Sequence, residues 1–188
     1  GLLEEENDQY LAYQFEKIVS VNELKIFGQH NIANMLAAIG LALAVGVDLN
    51  SIRKAITEFP GLPHRCQWVG SVAGVDFYND SKGTNVGATV AAVEGLGHHI
   101  EGHIILIAGG VSKGADFKTL TPVINRWGKE VILIGRDAME LAEHLDSDTQ
   151  TYCAQDMQDA VEVALEHAVT GDAVLLSPAC ASFDMFDN

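Results

Sequence analysis

Three short runs, Ile104-Ile105-Leu106-Ile107-Ala108, Val131-Ile132-Leu133-Ile134 and Val174-Leu175-Leu176, are apolar on successive residues and do not alternate. A strand with one wet face alternates. Continuous runs of this length belong to strands buried on both faces, as inside a parallel sheet covered by helices. Helical patterns fill the gaps at about 86–94, 117–127, 138–144 and 157–168, with a weaker strand at Thr151-Tyr152-Cys153. Strand and helix in alternation predict an α/β, doubly wound, Rossmann-like domain with a mostly parallel sheet. Strands at 68–72 and 75–78, on either side of Ala73-Gly74, are expected to open it as a hairpin.

Residues 1–28 have a different texture. Tyr10-Leu11-Ala12-Tyr13-Gln14-Phe15, Ile18-Val19-Ser20-Val21 and Leu24-Lys25-Ile26-Phe27 are β-prone, and the turn-prone Asn7-Asp8 pair suits an antiparallel hairpin or sheet edge. From Asn31 the spacing becomes helical through Ile32, Met35, Leu36, Ile39 and Leu43, ending near Gly46. A second helix fits 49–59, stopped by Pro60-Gly61. The 60–63 loop is therefore the expected boundary, dividing 1–62 from 63–188.

With 48% hydrophobic and 20% charged residues, the chain can build a core and is not a disordered polymer. Lys+Arg 11 against Asp+Glu 26 gives a net charge of −15, and no window gathers enough cations to follow a phosphate backbone. Nucleic acid is not an expected partner. The longest apolar run, 35–47, falls short of the roughly 18–20 residues a membrane span requires, so no membrane insertion is expected. Cys66, Cys153 and Cys180 form no CxxC pair and read as reduced thiols, which points to a cytoplasmic protein. The chain opens on Gly1 without an initiator Met or a leader, and a piece of a longer protein is expected.

Ligands of an open parallel sheet bind beyond the carboxyl ends of its strands. The segments following the strands are Asn79-Asp80-Ser81-Lys82-Gly83-Thr84-Asn85, Gly109-Gly110-Val111-Ser112-Lys113-Gly114-Ala115-Asp116, Gly135-Arg136-Asp137 and Ser177-Pro178-Ala179-Cys180-Ala181-Ser182. Glycines let backbone N–H groups approach an anion. Lys82 and Lys113 would add point charges, and Thr84 and Ser182 directional hydrogen bonds. A small carboxylate or phosphate is the natural guest, although such loops also occur as plain turn chemistry.

Other clusters leave alternatives open. Asn31 reads either as a helix N-cap or, with Asn34 one turn on, as one of two amides for an adenine edge. His64-Arg65 is either a solvated loop pair or a phosphate-binding linker. His98, His99 and His103 lack carboxylate or Cys partners at ligand spacing and are not expected to hold a metal. Asp137, Glu140, Glu143, Asp146 and Asp148 read as a solvated acidic face. Neither a G-x-S-x-G elbow nor a G-x-x-x-x-G-K-[ST] loop is present.

In order and spacing, Gly28-Gln29-His30-Asn31-x-x-Asn34, then Leu62-Pro63-His64-Arg65, then the 79–85 segment resemble the Mur ligase family. The segments at 109–117 and 175–184 are similar to the branch of that family that adds D-glutamate. The resemblance implies an ATP-dependent ligase joining D-glutamate to UDP-N-acetylmuramoyl-L-alanine through an acyl phosphate. It implies that Asn31 and Asn34 contact adenine, His64 the nucleoside, Arg65 the phosphates and Asp80 the ribose, with Lys82 near the nucleotide and the reacting centre. Thr84, Lys113, Ser182 and the Phe183 backbone would hold D-glutamate. Residues 1–62 would be the tail of a central ATPase domain. ATP and Mg2+ are implied, with the P-loop and metal ligands expected upstream, so no catalytic or metal residue is assigned within this chain. A monomer is expected, inactive as a fragment. The alternatives are another Mur-type or folylpolyglutamate-type ligase, or a non-catalytic anion- or nucleotide-binding module. A nicotinamide-dependent oxidoreductase ranks last, because G-x-G-x-x-G is absent.

Overall fold

The computed structural model describes residues 1–6, 8–182 and 184, so Asn7 of the expected turn and Phe183 of the expected site lie outside the described residues. The chain divides into two compact units, Gly1–Gly61 and Leu62–Asn188.

In the first unit, strands β1 (Leu2–Glu5), β2 (Asp8–Tyr13) and β3 (Glu16–Ser20) form an antiparallel sheet in sequence order. Helices α1 (Gln29–Ala44) and α2 (Leu49–Glu58) follow. Leu11, Ile18 and Val19 of the sheet share a core with Ile32, Met35 and Ile39 of α1 and Ile52 and Ile56 of α2. Asp48 starts α2 by accepting from the N–H groups of Asn50 and Ser51, both at 3.0 Å, a cap that stabilises by about 1 kcal/mol. The expected strand at 24–27 does not form. Ser20 and Glu23 instead make a capping box around a 3-10 turn at Val21–Glu23, which bends the chain away from the sheet. Leu24 and Ile26 pack their side chains on the core. β1, which the sequence pattern did not signal, supplies the third strand.

The second unit is a six-stranded sheet in the order β4-β5-β9-β6-β7-β8. The strands are β4 (Gln67–Val72), β5 (Val75–Asn79), β6 (Ile104–Gly109), β7 (Gly128–Ile134), β8 (Gln150–Cys153) and β9 (Ala173–Ala179). β4 and β5 form the antiparallel hairpin, and every other neighbouring pair is parallel. Helices α3 (Val86–Gly97), α4 (Thr121–Trp127), α5 (Ala138–Ala142) and α6 (Met157–His167) connect them.

The three apolar runs are the central strands β6, β7 and β9. On one face Ile105, Ile107, Ile132, Ile134 and Val174 pack with Ala160 and Ala164 of α6. Alternate residues Ile104, Leu106, Val131, Leu133 and Leu175 are also buried, so both faces are covered. The single helix expected over 117–127 is split into a 3-10 turn at Phe117–Thr119 and α4. Pro122 lacks the N–H that a continuous helix would require there and is tolerated only in a first turn.

Pairing keeps the carboxyl ends level. Asn79 of β5 faces Leu176 of β9, and Leu176 faces Ile107 of β6. Gly109 of β6 pairs with Ile134 of β7 and with Ala179 of β9. The segments that leave these strands therefore start side by side.

Candidate functional site

The loop after β5 is built from its own polar side chains. Asn79 Oδ1 accepts from Ser81 N–H at 2.9 Å, Gly83 N–H returns to Asp80 O at 2.7 Å, and Asn85 caps α3 by accepting from Ala88 N–H at 3.0 Å. With Asn79 Oδ1 occupied by Ser81, its amide nitrogen faces His64 and donates to Nδ1 at 3.1 Å. That assignment puts the ring proton of neutral His64 on Nε2. His64 O accepts from Lys82 N–H at 3.2 Å, so the segment around His64 lies along the 79–85 loop.

Asp80 is 8% exposed and does not face open solvent. Its Oδ1 accepts from Cys66 N–H at 3.1 Å and its Oδ2 from the Ser177 hydroxyl at 2.7 Å. Ser177 Oγ is also 2.9 Å from Thr89 Oγ1, and Ser177 and Thr89 are wholly buried. At Gly83 a Cβ would collide with the Asp80 carboxylate and come within 2.6 Å of Ser177 Oγ. Ala179 N–H donates to Gly83 O at 2.8 Å, tying the end of β9 to the same loop. Burial, and after it the negative charge of Asp80, pushes the Cys66 thiol up to about 12.

The loops after β6, β7 and β9 interlock by backbone. Val111 N–H donates to Ala181 O at 2.8 Å, and Asp137 N–H to Gly110 O at 3.0 Å. Gly109 sits at φ +134°, where a side chain would run into the Ile134 carbonyl. Ser112 N–H donates to Asp137 Oδ2 at 2.9 Å, and Ser112 Oγ lies 2.5 Å from Glu140 Oε2. The guanidinium of Arg136 bonds Asp137 at 2.8 and 3.1 Å. That pair, with the Ser112 N–H after it, holds the Asp137 carboxyl down at about 2. Cys180 is buried, and burial followed by the nearby Asp137, Glu140 and Asp184 raises its thiol to about 11.

Thr84, Lys113 and Ser182 thus leave three neighbouring strands, β5, β6 and β9, at one edge of the sheet. Lys82, Thr84, Lys113, His64 and Arg65 are exposed, and Ser182 is half-buried. Asn31 and Asn34 belong to the first unit. Asn31 does not cap α1, because Gly28 holds the N-cap position and Asn31 Nδ2 donates back to Phe27 O at 2.8 Å. Asn34, one turn on, is exposed.

His98 packs edge-on against Trp127 with ring centroids 4.7 Å apart, and His103 N–H donates to Asp172. Among the described residues no group of three or more His, Cys, Asp or Glu side chains is placed to hold a metal. Sequence reasoning did not single out Ser177 or Thr89, whose only signal was a hydroxyl inside an otherwise small or apolar run. The acidic face expected to be solvated is engaged at Asp137 and Glu140, which both bond Ser112 of the β6 loop.

Among the described residues no helix is long and apolar enough to cross a membrane. Over its full length the chain is 51% identical to UDP-N-acetylmuramoylalanine–D-glutamate ligase of Pseudomonas fluorescens, 50% to that of Pseudomonas aeruginosa and 48% to that of Hahella chejuensis. It spans 42% of the length of each. Among solved structures, UDP-N-acetylmuramate-alanine ligase MurC of Thermotoga maritima superposes with a TM-score of 0.69 at 19% identity, over 84% of this chain and 36% of that one. The folylpolyglutamate synthase of Mycobacterium tuberculosis, solved with ADP, superposes at 0.65 with 16% identity, over 83% of this chain and 39% of the other. These likenesses establish the fold. Residues 64–180 match the profile of the Mur ligase, glutamate ligase domain, well over half of the sequence, and the chain therefore belongs to the Mur ligase family.

Proposed function

We propose that this chain is the C-terminal part of an ATP-dependent ligase that adds D-glutamate to UDP-N-acetylmuramoyl-L-alanine during peptidoglycan precursor synthesis. The observation that carries this is about 50% identity, along the entire chain, to proteins named for that reaction. The convergence of Lys82-, Thr84-, Lys113- and Ser182-bearing loops at one sheet edge supports it, because a dicarboxylic amino acid needs a cation and hydroxyl donors.

In this reading Thr84, Lys113 and Ser182 hold the two carboxylates of D-glutamate, joined by the Phe183 backbone. The first unit is the tail of a central ATPase domain, with Asn31 and Asn34 on the adenine. His64 sits by the nucleoside and Arg65 reaches the phosphates; for Asp80 to hold the ribose hydroxyls, its carboxylate must turn outward from Ser177 and Cys66 N–H, which engage it here. Lys82 stands near the nucleotide and the reacting centre. The γ-phosphoryl group of ATP passes to an oxygen of the L-alanyl carboxylate and ADP leaves. The D-glutamate nitrogen attacks the acyl carbon, the tetrahedral adduct expels phosphate, and the nitrogen gives up its proton to leave an amide. Cations and backbone N–H groups at the loop edge stabilise the charge that develops on oxygen, and holding both reactants supplies orientation.

Mg2+ accompanies ATP in this proposal. The described residues do not fit a metal ion, and no step is assigned through one on this chain. We place the enzyme in the cytoplasm as a monomer; the free thiols of Cys66, Cys153 and Cys180 suit a reducing compartment.

The test is phosphate release by the full-length protein, supplied with ATP, UDP-N-acetylmuramoyl-L-alanine and either enantiomer of glutamate. Turnover with D-glutamate alone, with KM for D-glutamate raised at least about tenfold in Lys113→Ala, is the expected result. Turnover that prefers L-glutamate or another amino acid overturns the proposal.

A further inference from the structure

We propose that Glu140 and Asp137 are positioning residues for the amino-acid site, acting through Ser112 to hold Lys113 in the backbone geometry that presents its ammonium to a substrate carboxylate. This inference rests on the reading of Lys113 as the cation of that site.

Lys113 has φ +52° and is followed by Gly114 at φ +72°. An L residue occupies this left-handed region only where its surroundings over-determine it. Here the surroundings act on Ser112, the residue before it. Its N–H donates to Asp137 Oδ2 at 2.9 Å, and its hydroxyl is 2.5 Å from Glu140 Oε2. A carboxylate only accepts, so the hydroxyl proton is committed to Glu140. The serine oxygen then presents a lone pair to Gly114 N–H at 3.3 Å, and Ser112 O accepts from Ala115 N–H at 3.1 Å. Lys113 is therefore bracketed by two bonds, and Glu140 sets the orientation of the one that runs through the serine oxygen.

Asp137 reinforces this from the same side. It stands at the N-cap position of α5 yet makes no side-chain cap bond to its own helix. Its carboxylate goes instead to Ser112 N–H and to Arg136, whose guanidinium clamps it at 2.8 and 3.1 Å. A capping residue that gives up its local partner for one 25 positions away marks a place where a long-range requirement outweighs a local one. Because β6 and β7 are hydrogen-bonded neighbours, the start of α5 works as a strut under the β6 loop.

The experiment uses the full-length enzyme and measures KM for D-glutamate, KM for ATP, kcat and the thermal melt for Glu140→Ala, Ser112→Ala, Glu140→Gln and Lys113→Ala. Glu140→Ala and Ser112→Ala are expected to raise KM for D-glutamate about tenfold, the effect of losing one hydrogen bond to a charged group, with kcat and KM for ATP within about threefold of wild type. Glu140→Gln, whose amide oxygen still accepts the serine proton, is expected to recover most of that loss. If Glu140→Ala does not fold, Ser112→Ala against Glu140→Gln gives the same comparison. A normal KM in Glu140→Ala and Ser112→Ala, with a raised one in Lys113→Ala, overturns the positioning role and leaves the D-glutamate reading standing. A normal KM in Lys113→Ala overturns both. Equal damage to the ATP and D-glutamate constants, or no recovery in Glu140→Gln, overturns the proposal in favour of a merely structural contact.

Discussion

The hydroxyl of Ser177 lies 2.7 Å from Asp80 Oδ2, out of solvent, and joins the end of β9 to the loop that follows β5 across 97 positions of sequence. Asp80 also accepts from Cys66 N–H, and Thr89 Oγ1 stands 2.9 Å from Ser177 Oγ. A buried carboxylate is tolerated only while donors surround it, since an unmatched one costs more than its bond returns. The loop that carries Lys82 and Thr84 is thus fastened from beneath.

Removing that donor has a measurable cost. Ser177→Ala is expected to lower the unfolding free energy by about 1–3 kcal/mol, because Asp80 loses a charge-assisted partner that cannot be replaced by solvent. Urea denaturation reads this directly, and a loss below about 0.5 kcal/mol would show that water reaches the carboxylate.

Gly109 and Gly114 both have positive φ but face different surroundings. A Cβ at Gly109 runs into the Ile134 carbonyl, whereas nothing lies within 4 Å of one at Gly114. Gly114→Ala is expected to cost only the strain of the left-handed backbone, about 1–2 kcal/mol. Gly109→Ala must also separate β6 from β7, and is expected to cost more than about 3 kcal/mol or to abolish folding. Thermal melts of the pair check the order.

Asp137 provides an acid-sensitive contact. Its carboxyl is held at about 2, against an ordinary 3.8, by the Arg136 bond first and the Ser112 N–H after it. A folded value below the unfolded one means the contribution is complete above about pH 4. It is lost as pH falls toward 2. Stability measured between pH 5 and pH 2 is expected to fall less steeply in Asp137→Asn than in the wild type, and equal slopes would contradict the assignment.

The three thiols should differ in reactivity. Cys153 is exposed, while burial raises Cys66 to about 12 and Cys180 to about 11. At pH 8 a chromogenic disulfide reagent is expected to titrate Cys153 promptly and the other two only after unfolding, since the thiolate is the reacting form. Prompt loss of Cys66 would show that its loop opens in the native state.

The sheet was legible from the chain because strands buried on both faces leave unbroken apolar runs, and the turn after each one supplies the glycines and hydroxyls of the edge. The hairpin around Ala73-Gly74 shows the same local control. The strand expected at 24–27 failed because a capping box four residues earlier turned the chain, a contest between two local signals that composition does not weigh. Asn31 likewise had an N-cap's chemistry, but Gly28 took that position at φ +92° and left Asn31 inside the helix.

What the sequence by itself determined is the class of sheet and the polar, glycine-bearing loops that follow its strands, because periodicity and turn chemistry act over a few positions. Only the tertiary structure decided what those loops rest on. Asp80 met Ser177, and Ser112 met Asp137 and Glu140, across 25 to 97 positions. Such pairs form when parallel strands come into register, a non-local event whose hydrogen bonds leave no pattern along the chain. An acidic residue on a helix looks solvated from its neighbours in sequence, until the loop of the adjacent strand arrives with a donor for it.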